Sequence, residues 1–145
     1  IVPSSHPWAG LKVVQVNELQ KKSMIMREKG SGTRQTIEQK LEEHGIALEK
    51  IPCGLELGST RAVITAVEAN LGISFVSRCA VQDSLRLGRV KEVKVFKLDL
   101  FRRLYQVKHS HGAEGFAIGF FTDFINDSDN LKAFPINKLA LRFSI

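Results

Sequence analysis

Short apolar runs alternate along this chain with amphipathic stretches of helical period. At two places the change from one to the other uses the same device: a strand-like run, a Gly-Ser pair, and the start of a helix. Met24-Ile25-Met26 is a short apolar run that leads through Glu28-Lys29-Gly30 to Ser31. A second strand, expected around Ile51 to Leu57 and bent near Pro52 and Gly54, leads to Gly58-Ser59-Thr60. Alternation of this kind predicts βαβ units, an α/β fold and a mostly parallel sheet. The first helix is expected from near Ser31 to Gly45. Ile37 and Leu41 share its inner face, while Glu38, Gln39, Glu42 and Glu43 face water. Gly45 suits a left-handed C-terminal cap. In the second helix Val63, Ile64, Val67 and Leu71 form the buried stripe, and Gly72 stops it.

The remaining signals are shorter. Ile1-Val2 reads as the end of a strand, Ser4 to Gly10 as a loop, and Val16 to Leu19 as one helical turn with Asn17 as its cap. Ile73 to Val76 reads as a short buried strand. Arg78 to Leu87 includes a short helix closed by Gly88. Val90, Val93 and Val95 are strand-like, as is Leu104 to Val107. The last helix is expected from about Glu114 to Ile125, where Phe116, Phe120 and Phe124 repeat every four residues beside Ala117, Phe121 and Ile125. It is apolar around more than half its circumference, so something must pack on it. Residues 127–145 begin with a polar break, Asp127 to Asn130. They end in a period-two pattern, Leu139, Leu141, Phe143 and Ile145, which suits an edge strand.

A chain of 145 residues fits one domain. Its 43% apolar and 25% charged residues are an ordinary globular mix, which argues against disorder. No apolar run approaches the ~20 residues needed to cross a bilayer. The opening Ile-Val-Pro has neither an initiator Met nor the form of a secretory leader, and reads as the cut edge of a longer chain. Cys53 and Cys79 are expected as two reduced thiols, buried as small hydrophobes in a cytoplasmic protein. The net charge of +6 is spread out, without aromatic interleaving. It reads as a solvated basic surface rather than a nucleic-acid groove.

The chemistry these residues suggest is anion binding. A helix start offers unpaired backbone N–H groups and the positive end of the helix dipole. Ser and Thr add hydroxyl donors, and Gly lets a ligand approach the backbone. Two such starts, Gly30 to Arg34 and Gly58 to Arg61, facing one crevice would hold a carboxylate, phosphate or sulfate. The competing reading is plain capping, because Ser is a favoured N-cap worth ~1 kcal/mol over Ala. What tilts the balance is that there are two, each after a strand, since parallel sheets bind ligands at the carboxyl ends of their strands. Enzyme signatures fail. Gly30-Ser31-Gly32 lacks the third glycine of a dinucleotide site, Gln35 standing in its place. No P-loop, GxSxG or HExxH is present. His6, His44, His109 and His111 show no ligand spacing, and no nucleophile-base pair appears. No metal or cofactor is expected, and an α/β enzyme ranks low.

Several segments resemble LysR-type transcriptional regulators. His6 to Gly10 is similar to that family's HPLAG loop, and Arg27 to Arg34 to its RExGSGTR segment. Glu56 to Ser59, with Ala62-Val63 and Ala66-Val67, is similar to its second helix start. Asn70 to Ser77 resembles the GLGIAFLP strand and turn, and Leu87 to Val90 a GRLV turn. Arg103 to Val107 and Phe116 to Ile125 resemble the returning strand and closing helix. The order and spacing hold from Ile1 to about Asn126.

The resemblance implies a periplasmic-binding-protein-like effector domain of two lobes, with an inducer in the cleft between them and the first part of lobe one missing. It implies the end of lobe one and a crossover over 1–22, lobe two over 23–101, a return strand and closing helix of lobe one over 102–126, and a tail of unknown role over 127–145. It implies effector contacts from Ser31, Gly32 and Thr33, from Ser59 and Thr60, and from Phe75, Val76 and Ser77, where Ser77 stands for a proline often found there. The expected partner is a small anionic effector. DNA would be reached only through a winged helix-turn-helix outside this chain, in a cytoplasmic homodimer or homotetramer with no membrane contact. A solute-binding protein of a transport system is the alternative. A chain lacking the first strands of lobe one is expected to dimerise or swap elements.

Overall fold

The computed structural model describes residues 1–101, 115–127, 129 and 130. The chain divides into two compact units, Ile1–Phe101 and Arg102–Ile145.

The first unit is organised about one strand, β3 (Met24–Arg27). Its side chains alternate between two apolar clusters. Met24 and Met26 join Ile37, Leu41, Ile46 and Ile51 on one face, and Ile25 joins Val63, Ile64, Val67, Val81 and Val90 on the other. A strand covered on both faces reads as a continuous apolar run, which is why Met24-Ile25-Met26 shows no polar alternation. Helix α1 (Gly32–Glu43) supplies Ile37 and Leu41 to the first cluster. Helices α2 (Thr60–Glu68) and α3 (Arg78–Arg86) supply the second.

β3 pairs in parallel with β4 (Cys53–Leu57), from Met24↔Cys53 to Arg27↔Leu57. The register slips by one residue at Gly54, which is the bend expected there. A Cβ on Gly54 would collide with Ser23 Oγ. On the other side of β3, Ile73 forms a parallel bridge to Met24, with Ile25 N–H donating to Ile73 O at 2.8 Å and Ile73 N–H to Ser23 O at 3.1 Å. Two further pairs complete the unit. β1 (Val2–Pro3) runs antiparallel to β5 (Val90–Lys91), and β2 (Val13–Val14) parallel to β6 (Lys94–Val95). Short 3-10 turns at Pro7–Gly10, Val16–Lys21 and Leu48–Lys50 connect them.

Several expectations need correction. Ile73 to Val76 is not a four-residue strand: pairing stops at Ile73. The Ser74 N–H turns to Ile1 O at 3.1 Å and its hydroxyl donates to Ile25 O at 2.7 Å, so the backbone leaves β3 after one bridge. Leu71 is not in the α2 stripe, being 55% exposed; Ala66 is buried there instead. The helix ends sooner, because Asn70 takes a left-handed φ of 62° and Leu71 N–H folds back onto Ala66 O. The cap of the 3-10 turn at Val16 is Gln15, not Asn17. Val93 lies between β5 and β6 rather than in a strand. Cys53 and Cys79, expected to be buried, are exposed, Cys53 at the start of β4, which among the described residues pairs on one side only.

In the second unit the described residues are helix α4 (Phe116–Asn126) with Gly115, Asp127, Asp129 and Asn130. None of its residues is buried, and Phe116 is 84% exposed. The strand expected at Leu104 to Val107, the loop holding His109 and His111, and the tail pattern from Leu139 to Ile145 lie outside the described residues. Among the described residues no helix is long and apolar enough to cross a membrane.

Candidate functional site

Because β3 and β4 are parallel and end in register at Arg27↔Leu57, their chains leave the sheet at the same edge. Each enters a helix within a few residues. Ser31 is the N-cap position of α1 and Ser59 that of α2. The segment bridged at Ile73 runs the same way and reaches Ser77, the N-cap position of α3. The register therefore brings Ser31 and Ser59 to the carboxyl edge of β3 and β4, the edge where such sheets bind ligands, whereas Ser77 follows a segment that leaves β3 after Ile73.

The hydroxyls there are in different states. Ser59 Oγ accepts a hydrogen bond from Ala62 N–H at 3.1 Å, an ordinary cap. Ser31 is only 8% exposed, yet its side chain makes no cap bond. Ser77 is exposed and also makes none. Thr60 Oγ1 accepts from Arg27 Nη1 at 2.6 Å. The first N–H groups of a helix have no intrahelical partner, so those of Gly32 and Thr33 in α1, and of Thr60 and Arg61 in α2, stand at this edge as donors. Phe75 and Val76 are half-buried between Ile73 and α3. Phe75 lines a small cavity of about 20 Å³ with Ile1, Trp8, Leu19 and Val95. A larger concavity of about 250 Å³ lies along Met24, Met26, Arg34, Leu48 and Cys53. Neither is lined by Ser31, Ser59 or Ser77.

Two arginines that sequence reasoning did not single out organise the edge. Arg27, the last residue of β3, grips the Glu28 carboxylate with Nε at 2.7 Å and Nη2 at 2.8 Å. It also reaches Thr60 Oγ1 and, at 3.5 Å, Gly58 O. It thus ties the end of one strand to the start of the other strand's helix. The Glu28 carboxylate raises the Arg27 pKa, and the Arg27 guanidinium lowers that of Glu28. Arg34, in the first turn of α1, bonds Glu38 at 2.8 Å, Glu56, and Arg27 O at 3.1 Å. Glu38 and then Glu56 hold the Arg34 pKa above its ordinary value. Both arginines lie within the Arg27 to Arg34 segment, so the motif contained them. Only the parallel register of β4 tells where their side chains go. Arg61 and Lys29, by contrast, form no ion pair among the described residues and leave the edge net basic. Among the described residues no group of His, Cys, Asp and Glu could hold a metal ion.

Parallel strands with helix starts gathered at one carboxyl edge define an α/β unit of the ligand-binding class, and the comparisons narrow it. The family model of the LysR substrate binding domain matches residues 1–129, and the chain belongs to that family. It is 36% identical over 107 residues to a probable RuBisCO transcriptional regulator of Cyanidioschyzon merolae, covering 74% of this chain and 35% of that protein. Among solved structures it resembles the CcmR regulatory domain of Synechocystis PCC6803 in complex with 2-PG. The TM-score is 0.67 at 22% identity, over 86% of this chain and 58% of that one. It also resembles the effector binding domain of QuiR in complex with shikimate, with a TM-score of 0.64 at 21% identity, over 92% and 60%. The fold is thus that of LysR effector-binding domains, periplasmic-binding-protein-like with mixed helices and parallel sheets. This family membership disfavours the transport alternative. The chain spans 35–42% of the length of the first curated relatives it matches.

Proposed function

We propose that this chain is the part of a LysR-type regulator that senses a small anionic effector at the edge formed by Ser31, Gly32 and Thr33, by Ser59 and Thr60, and by Phe75, Val76 and Ser77. One observation carries the reading. Two helix starts, one on each face of β3, follow adjacent parallel strands that end in register, so both leave the sheet at its carboxyl edge, which supports a shared anion site there. Ser31, little exposed and making no cap bond to α1, is the hydroxyl donor this reading assigns first to a ligand. In this reading residues 23–101 act as lobe two, 1–22 as the end of lobe one and the crossover, and 102–126 as the return strand and closing helix of lobe one; the tail from 127 has no assigned part. An anion bridging the lobes favours one interlobe arrangement by its differential affinity, and that preference is what reaches DNA.

DNA contact belongs to a winged helix-turn-helix outside this chain, in a cytoplasmic homodimer or homotetramer. The Cyanidioschyzon merolae relative bears the name of a probable transcriptional regulator, which supports a role in transcription. In this reading the effector is bound and released unchanged, without a cofactor. Calorimetric titration with 2-PG, shikimate, inorganic phosphate and sulfate tests the reading. Saturable binding of at least one, weakened tenfold or more by Ser31→Ala with Thr33→Ala, is expected. Binding of none, or binding indifferent to that double substitution, contradicts it.

A further inference from the structure

The Arg27 guanidinium stands beside the first residue of α2, at the positive end of that helix's dipole. A cation there is electrostatically misplaced unless an anion accompanies it. The chain supplies one from the next residue. Both oxygens of Glu28 lie in the Arg27 fork, at 2.7 and 2.8 Å, a bidentate geometry that carboxylate and phosphate ligands use equally well. The Glu28 side chain is 40% exposed, so it leaves the fork without breaking a buried contact. Arg27 would not drift when it does, because Thr60 Oγ1 and Gly58 O hold the other side of the guanidinium. Glu38 and Glu56, the acids that border the same edge, are engaged by Arg34.

We propose that Glu28 is a built-in competitor for the effector: its carboxylate occupies the Arg27 fork in the free protein, and an arriving anion takes its place. The inference rests on the effector-site reading above and adds a specificity-determining pair to it. Anions able to fill a planar fork, carboxylates and phosphates, are selected over spherical ones such as chloride. An anion that cannot displace Glu28 is repelled by it.

The test is titration of wild type, Glu28→Gln, Arg27→Lys and the double variant with inorganic phosphate and the anion panel named above. Glu43→Gln, which removes the same charge near the other end of α1, is the control. Glu28→Gln is expected to tighten anion binding roughly tenfold, the order of one charge-assisted hydrogen bond exchanged, while Glu43→Gln changes it little. Arg27→Lys keeps the charge but not the fork. It is expected to weaken binding and to erase most of the effect of Glu28→Gln. Wild-type binding that Glu28→Gln leaves unchanged or weakens overturns the competition and leaves the effector site standing. An equal gain in both arginine and lysine backgrounds also overturns it, by reducing Glu28 to a distant charge. No binding of any anion by wild type or Glu28→Gln overturns the proposal and the effector reading together.

Discussion

At the scale of single residues, capping and ligand binding can be separated. Ser59 Oγ accepts a backbone N–H in α2, whereas Ser31 makes no such bond in α1. Ser59→Ala should therefore lower stability by about 1 kcal/mol in urea denaturation, and Ser31→Ala by clearly less. Equal losses would mean that both serines are plain caps. His6 gives a pH dependence. Its Nδ1 accepts from Trp8 N–H at 3.1 Å, which only the unprotonated nitrogen can do. Burial, and then Lys22, push its pKa below 6.5. The unfolded chain therefore takes up a proton before the folded one. Its contribution is whole above pH 6.5 and is lost as pH falls from 6.5 toward the lowered value. Denaturation at stepped pH should show wild type losing more stability across that window than His6→Asn, which keeps an acceptor and does not titrate. The serines were legible in the sequence because a cap is a local decision. The Arg27 bonds were not, because they depend on Gly58 and Thr60 arriving from another strand.

At the scale of elements, the two Gly-Ser helix starts held, while the strand expected over Ile73 to Val76 and the place of Leu71 did not. α1 and α2 start where their Gly-Ser pairs place them, since propensity, capping and apolar spacing agree there. The stretch from Ile73 to Val76 carried a strand's composition. Ser74, however, turns its N–H to Ile1, a partner dozens of residues away that no local pattern announces. Leu71 misled in the opposite direction: its spacing fits the α2 stripe, but the left-handed Asn70 ends the helix first. Cys53 came out exposed for a topological reason, since it opens a strand that among the described residues pairs on one side only. Gly72 tests the packing of this region. A Cβ there would lie 2.7 Å from Ser23 O, in the approach that joins Ile73 to β3. Gly72→Ala should cost roughly 1–3 kcal/mol. A thermal melt that it leaves unmoved would show the approach to be looser than described.

At the scale of the whole molecule, the sequence pattern and the family resemblance pointed to the same α/β class, and the order of short motifs identified the family that the comparisons bear out. The aromatic face of α4 was legible as apolar, but its exposure was not. Phe116, Phe120, Phe121 and Phe124 all remain open to solvent among the described residues, an apolar surface of a kind that soluble chains seldom leave bare. Light scattering of the chain should find a species larger than a monomer, and Phe120→Asp should shift it toward the monomer. A clean monomer at all concentrations would contradict this.

The claim that matters most is that the starts of α1 and α2 form one anion site. Amide chemical shifts followed through a titration with a bound anion test it directly. The account predicts that the largest changes fall together on Gly32, Thr33, Thr60 and Arg61. Changes centred instead on Leu48 to Cys53, or on only one of the two helix starts, would contradict it.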